Sequence, residues 1–188
     1  FDASPNNLEA FWMPFTANRQ FKDKPRLFVG AKDMHYTTHD GRKVLDGTAG
    51  LWCVNAGHGR KKITEAVSDQ VARMDYAPAF QMGHPKVFEL ANRLVNYVPA
   101  GLDHVFFTNS GSESVDTALK IALAYQRARG EGTRTRFVSR ERAYHGVNLG
   151  GVALSGLVRN REAFAIGVAN VVHMRHTWLP ENKFVKGQ

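Results

Sequence analysis

The stretch from His104 to Gly130, HVFFTNSGSESVDTALKIALAYQRARG, changes its apolar rhythm halfway along. Such a segment is expected to pass from a strand through a tight turn into a helix. His104 to Thr108 predicts a buried strand, and from Ser112 the residues Val115, Ala118, Leu119, Ala122, Leu123 and Gln126 recur at helical spacing. Gly130 is placed to end the helix, and Arg127 and Arg129 complement the negative end of its dipole. Between strand and helix lies TNSGSE, where Ser110 and Glu113 have capping-box spacing, a cap that contributes about 1 kcal/mol.

This turn has two uses. In one it only caps a helix. In the other it holds an anion: a helix N-terminus offers unpaired N–H groups and partial positive charge, and Gly111 lets an anion come close to that backbone. The hydroxyls of Ser110 and Ser112 add donors. The pattern is neither a Walker A loop nor a Gly-x-Gly-x-x-Gly dinucleotide turn.

Strands and helices alternate elsewhere too. MHYTTHDGRKVLDG reads as a hairpin around Asp40-Gly41, a dipeptide that accepts the positive φ of a tight turn. GRKKITEAVSDQVARMD sets Ile63, Ala66, Val67, Gln70, Val71 and Met74 on one helical face. A further helix starts near Pro85, with Val87, Leu90, Ala91, Leu94, Val95 and Val98 aligned, and Pro99 ends it. YAPAFQMGHP between them reads as a loop. Arg136 to Ser139 predicts a second strand running into a loop that ends at Gly146, and FAIGVANVVHMRH holds a third short one. GVNLGGVALSG is too glycine-rich to assign. The alternation implies an α/β layered domain with parallel strands.

At 188 residues with 43% hydrophobic and 22% charged residues, the chain has the composition of a globular protein with a core. Its net charge of +8 is spread over short clusters such as Arg60-Lys61-Lys62 and Arg159-Asn160-Arg161, with no interleaved stacking aromatics. A solvated face, or one meeting acidic residues elsewhere, is expected rather than a nucleic-acid site. The single cysteine, Cys53, excludes an internal disulfide and points towards the cytoplasm, and no apolar run has membrane-spanning length. His173 and His176 lack a third ligand, so no metal is expected. Ser155, Cys53 and His58 form no nucleophile–base pattern.

FFTNSGSESVDTALKIA resembles the cofactor-phosphate loop of the class III pyridoxal-phosphate aminotransferases. Further matches follow in that family's order. DGRKVLDGTAGLWCVNAGHGRKKITEAV is similar to its hairpin, Gly-Leu-Trp segment and first large-domain helix; RAYHG resembles its ring-stacking loop. FWMPFTANRQF is similar to the N-terminal signature of the ω-amino acid:pyruvate (β-alanine:pyruvate) branch. The resemblance implies the fold type I α/β architecture, with residues 1–57 as an N-terminal segment of the small domain and 58–188 as the first part of a large domain with a mainly parallel sheet.

It also implies pyridoxal 5'-phosphate as cofactor. Ser110, Gly111 and Ser112 would bind or support its phosphate, Tyr144 would stack on its ring, and His145 would lie beside it. Trp52 and Phe15 would wall the substrate pocket, and Phe80 would reach a neighbouring subunit's site. An amine donor, an oxo-acid acceptor and a homodimer or homotetramer follow, with no nucleic acid and no membrane. The family's Schiff-base lysine is expected beyond Gln188, because Lys120, Lys183 and Lys186 do not match its motif. No catalytic residue is therefore assigned in this chain, which is expected to be the N-terminal part of a longer enzyme. Asn55 stands where relatives of the branch often carry glycine, which leaves the natural donor open. A related aminomutase, a decarboxylating aminotransferase or a non-catalytic binding fragment are the alternatives.

Overall fold

The hairpin expected around Asp40-Gly41 forms, as β2 (His35–Thr38) and β3 (Lys43–Leu45), paired antiparallel with Tyr36 opposite Val44. A computed structural model describes residues 7–164 and 170–178. These fall into two compact units, Phe1–Val87 and Phe88–Gln188.

In the first unit, α1 (Asn18–Asp23) precedes β1 (Phe28–Lys32), a strand that joins the hairpin to give the order β1-β2-β3. After β3 the backbone makes the four-residue turn α2 (Ala49–Trp52) and then the predicted helix α3 (Lys61–Arg73). The second predicted helix is α4 (Pro85–Leu94), which stops before Val95 and Val98, short of the expected end at Pro99. The stretch between α3 and α4 has no regular structure, as its Pro and Gly punctuation predicts.

In the second unit α5 (Gly111–Ala128) is the predicted helix, and Gly130 follows it at a φ of 83°. β4 (Phe137–Arg140) pairs in parallel with β5 (Val171–Met174), Phe137 opposite Val171 and Arg140 opposite Met174. Between them lie α6 (Leu149–Leu154) and α7 (Val158–Glu162). The buried apolar residues Val152, Ala153 and Leu154 lie on α6, which packs against α5, β4 and β5. The core of this unit is therefore seated on the segment whose glycines left it unassigned.

Those glycines are there for space. A Cβ on Gly150 would lie 2.6 Å from Asp116 Oδ1, and one on Gly151 would overlap the carbonyl oxygen of His145. A glycine-rich helix of poor intrinsic propensity forms because close backbone packing requires it.

His104 to Thr108 corrects the sequence reading. No strand forms there: among the described residues no backbone hydrogen bond reaches 104–107, and Phe106 is 73% exposed. A strand exists through its ladder, and here β-type composition has no described partner.

Candidate active site

Ser110 is the N-cap of α5, in extended backbone, and its Oγ accepts the N–H of Glu113 at 3.1 Å. Glu113 reaches back with Oε2 to the N–H of Asn109, one residue before the cap, at 3.0 Å. Thr108 Oγ1 braces the same turn, donating to the carbonyl of Ser110 at 3.0 Å. The capping box thus satisfies the turn from both sides, with the glutamate one position off the usual pairing.

The N–H groups of Gly111 and Ser112 have no acceptor among the described residues. A Cβ added at Gly111 would meet nothing within 4 Å, so the space beside that backbone is open. Two free N–H groups at the positive end of an 18-residue helix, with a hydroxyl beside them, suit a phosphate dianion.

Ser112 also acts at longer range. Its Oγ accepts the N–H of Val147 at 3.0 Å, which leaves its O–H free to donate. That bond ties the start of α5 to the loop after β4, where Tyr144 and His145 lie. Gly146, at a φ of 103°, presses against Ser112 so closely that a Cβ would sit 2.7 Å from Ser112 Oγ. On its other side the loop is held by Gly156, which donates to the carbonyl of Ala143 at 2.9 Å and accepts from the N–H of Arg142 at 3.0 Å. Asp116, a turn further along α5, accepts the N–H of Gly151 at 3.0 Å and so ties α5 to α6. Tyr144, held between these anchors, is 57% exposed. Of the predicted cofactor residues, Ser110, Gly111, Ser112, Tyr144 and His145 thus all lie on two segments fastened to each other.

Trp52, Phe15 and Phe80 belong to the first unit. All three are exposed, and among the described residues no ring contact joins them. Trp52 ends α2, whose residues Ala49, Gly50, Leu51 and Trp52 have φ of 51°, 59°, 60° and 70°. This is a left-handed turn, a conformation that costs a residue with a Cβ roughly 1–2 kcal/mol.

Sequence reasoning missed what holds it. Asp46 is 6% exposed, and its Oδ2 accepts the N–H of Gly50 at 2.8 Å and lies 2.8 Å from His58 Nε2. Its Oδ1 accepts from the N–H of Thr48 at 3.1 Å. These hydrogen bonds, led by the one from Gly50, outweigh burial and hold the Asp46 carboxyl down at about 2. Tyr36 packs its ring 4.6 Å from that of His58, and its phenol is raised by burial and by the nearby Asp46 charge. The available signal was Asp46 with Thr48 and Gly50 following, the spacing of a carboxylate that bonds backbone N–H groups ahead of it.

Lys120 on α5 is exposed, whereas Lys183 and Lys186 lie outside the described residues. His173 Nε2 lies 3.1 Å from the carbonyl oxygen of Leu154, and no group of three metal-ligating side chains occurs among the described residues. No helix among them is long and apolar enough to cross a membrane.

The family model for class-III aminotransferases matches residues 17–183. An omega-aminotransferase of Caulobacter vibrioides is 58% identical over 188 residues, covering 100% of this chain and 43% of that protein. An omega-amino acid–pyruvate aminotransferase of Pseudomonas putida is 46% identical over 185 residues, 98% of this chain and 41% of its own length. Among solved structures, an (S)-enantioselective omega-transaminase from Thermomicrobium roseum superposes with a TM-score of 0.85 at 34% identity, over 93% of this chain and 39% of that one. A PLP-bound amine transaminase from an uncultivated Pseudomonas species gives 0.85 at 33% identity, covering 93% and 40%. The chain spans about two fifths of the length of these relatives.

Proposed function

Because this chain belongs to the class III aminotransferases, we propose that it is the N-terminal part of a pyridoxal 5'-phosphate enzyme that moves an amino group from an ω-amino acid or amine to pyruvate or a related oxo acid. β-Alanine is the leading donor. The fold supports this reading, since it matches omega-transaminases of fold type I over nearly all of the chain. Residues 1–57 contribute to the small domain and 58–188 open the large one.

The observation that carries the proposal is the pair of free N–H groups at Gly111 and Ser112, joined through Ser112 Oγ to the loop bearing Tyr144. Gly111 and Ser112 hold the cofactor phosphate by backbone N–H and by the Ser112 hydroxyl, while Ser110 supports the turn. Tyr144 stacks on the ring and keeps water from that face, and His145 lies at its side. Pyridoxal 5'-phosphate, when bound, supplies the electron sink that makes a proton on the amine-bearing carbon removable. Trp52 and Phe15 wall the pocket for the apolar body of the donor. Phe80 reaches a neighbouring subunit's site, so the working enzyme is a homodimer or homotetramer in the cytoplasm. The lysine that moves the proton comes from sequence beyond Gln188.

The test is product analysis on the complete gene product loaded with cofactor. Incubated with β-alanine and pyruvate, it should form alanine in step with loss of β-alanine, and none without an oxo acid. Rearranged donor formed without pyruvate would replace this reading by an aminomutase, and release of carbon dioxide by a decarboxylating aminotransferase. Binding without turnover in any of these assays would leave a non-catalytic binding protein.

A further inference from the structure

The turn Ala49–Trp52 is left-handed through all four residues, three of which carry a Cβ and disfavour that conformation. Something must hold it. The N–H of Gly50, in the middle of the turn, donates to Asp46 Oδ2 at 2.8 Å, and the same oxygen meets His58 Nε2 at 2.8 Å. Gly50 itself has no room for change, because a Cβ there would lie 2.8 Å from Val54 Cγ2 and 3.2 Å from the Tyr36 hydroxyl.

His58 is fixed in turn. Its backbone exchanges two hydrogen bonds with Asp33, at 2.8 and 3.0 Å, and Tyr36 packs on its ring. Phe28 stacks on Tyr36 at 4.3 Å. A continuous path therefore runs from the sheet through His58 and Asp46 to the turn that ends in Trp52. The hand of that turn sets the direction of the Trp52 Cα–Cβ bond, and among the described residues no ring stacks on the indole, which is 78% exposed.

We propose that Asp46 is a positioning residue for Trp52: by gripping Gly50 against His58 it holds the left-handed turn that aims the indole, and so decides which donors fit. This deepens the reading of Trp52 as a pocket wall and rests on it.

The experiment uses the complete holoenzyme in a Trp12→Phe, Trp178→Phe background with other tryptophans outside this chain also replaced, so that emission reports Trp52. Asp46→Asn should shift the emission maximum and the acrylamide quenching of Trp52. It should also change the kcat/KM ratio of an aryl amine over β-alanine about tenfold, in the direction given by Trp52→Ala. His58→Gln, which keeps a hydrogen-bond donor near Asp46, should move both readouts less, and it serves as the second variant if Asp46→Asn does not fold. Unchanged Trp52 emission and quenching in every one of these variants that folds would overturn the proposal whatever the reaction proves to be. An altered emission with wild-type donor preference, where Trp52→Ala does change preference, would also overturn it. If Trp52→Ala leaves the preference unchanged, the pocket reading has failed and the donor-selection claim falls with it, an outcome separate from failure of the turn.

Discussion

The oxygen of the Ser112 side chain accepts the N–H of Val147 at 3.0 Å across 35 residues, so the helix start that offers free N–H groups and the loop that carries Tyr144 are one mechanical piece. On the proposed reading, a cofactor phosphate at the helix start and its ring beside the loop would share a fixed frame. This is how a rigid helix pre-orders a loop for binding.

Ser112→Ala removes the acceptor for Val147 and, on the proposed reading, a hydroxyl donor to the cofactor phosphate as well. A hydrogen bond to a charged group contributes about 1.5–3 kcal/mol, so cofactor affinity should fall about 10- to 100-fold. Ser112→Thr keeps both functions and should restore most of it. Titration of the apo form of the complete protein with pyridoxal 5'-phosphate, followed by absorbance, measures this.

Gly146→Ala tests the same junction from the loop side. The new Cβ would meet Ser112 at 2.7 Å from Oγ and 2.8 Å from Cα, and the φ of 103° is strained for alanine. A loss of about 1–3 kcal/mol in urea unfolding and weaker cofactor binding are expected together. Gly132→Ala, where the nearest atom is Arg127 Cγ at 3.8 Å, should leave both nearly unchanged.

Ser110→Ala separates the cap from the cup. Its Oγ is engaged with the N–H of Glu113, so its loss should cost about 1 kcal/mol of stability, while Ser110→Gly costs only a few tenths. Cofactor affinity should fall less than in Ser112→Ala. An equal fall in the two would assign Ser110 a direct place on the phosphate.

What the residues revealed in advance was local. The hairpin, α3, α4, α5 with its Ser110–Glu113 cap, and the strands β4 and β5 each carry a period or a turn signal within a few residues. What stayed hidden carries no period or turn signal of its own. β1 reads FVGAK, with no alternation, and exists because it pairs with β2 across a turn at Asp33, whose φ is 52°. α6 carries glycine at 150 and 151 against helix propensity because Asp116 and the His145 carbonyl leave no space there for a Cβ. The stretch 104–108 failed in the opposite sense, since its composition suits a ladder for which no described strand is present. In the site, the phosphate turn was legible because a cap and a cup share one motif. The Asp46–His58 pair was not, because 12 residues separate two side chains whose meeting depends on the left-handed turn between them.

Acid titration of stability gives the last test, and it isolates Asp46. Its carboxyl sits at about 2 in the folded protein against an ordinary 3.8, so on acidification the unfolded chain takes up this proton first. The contribution of the ionised group is therefore complete above about pH 4 and declines as pH falls towards 2. Asp46→Asn cannot titrate at this position. The stability gap between wild type and Asp46→Asn should be constant at neutral pH and should narrow through that window in urea unfolding of the complete protein. Asp40 also sits at about 2, held there by Thr38 and Arg42, but its side chain is 45% exposed in its pair with Arg42. Salt near 1 M, with a screening length of about 3 Å, should weaken the acid dependence that Asp40→Asn removes and leave the one that Asp46→Asn removes largely intact, because Asp46 is shielded from solvent. A gap for Asp46→Asn that does not change between pH 4 and 2 would mean that its carboxylate is not held by Gly50 and His58 in solution.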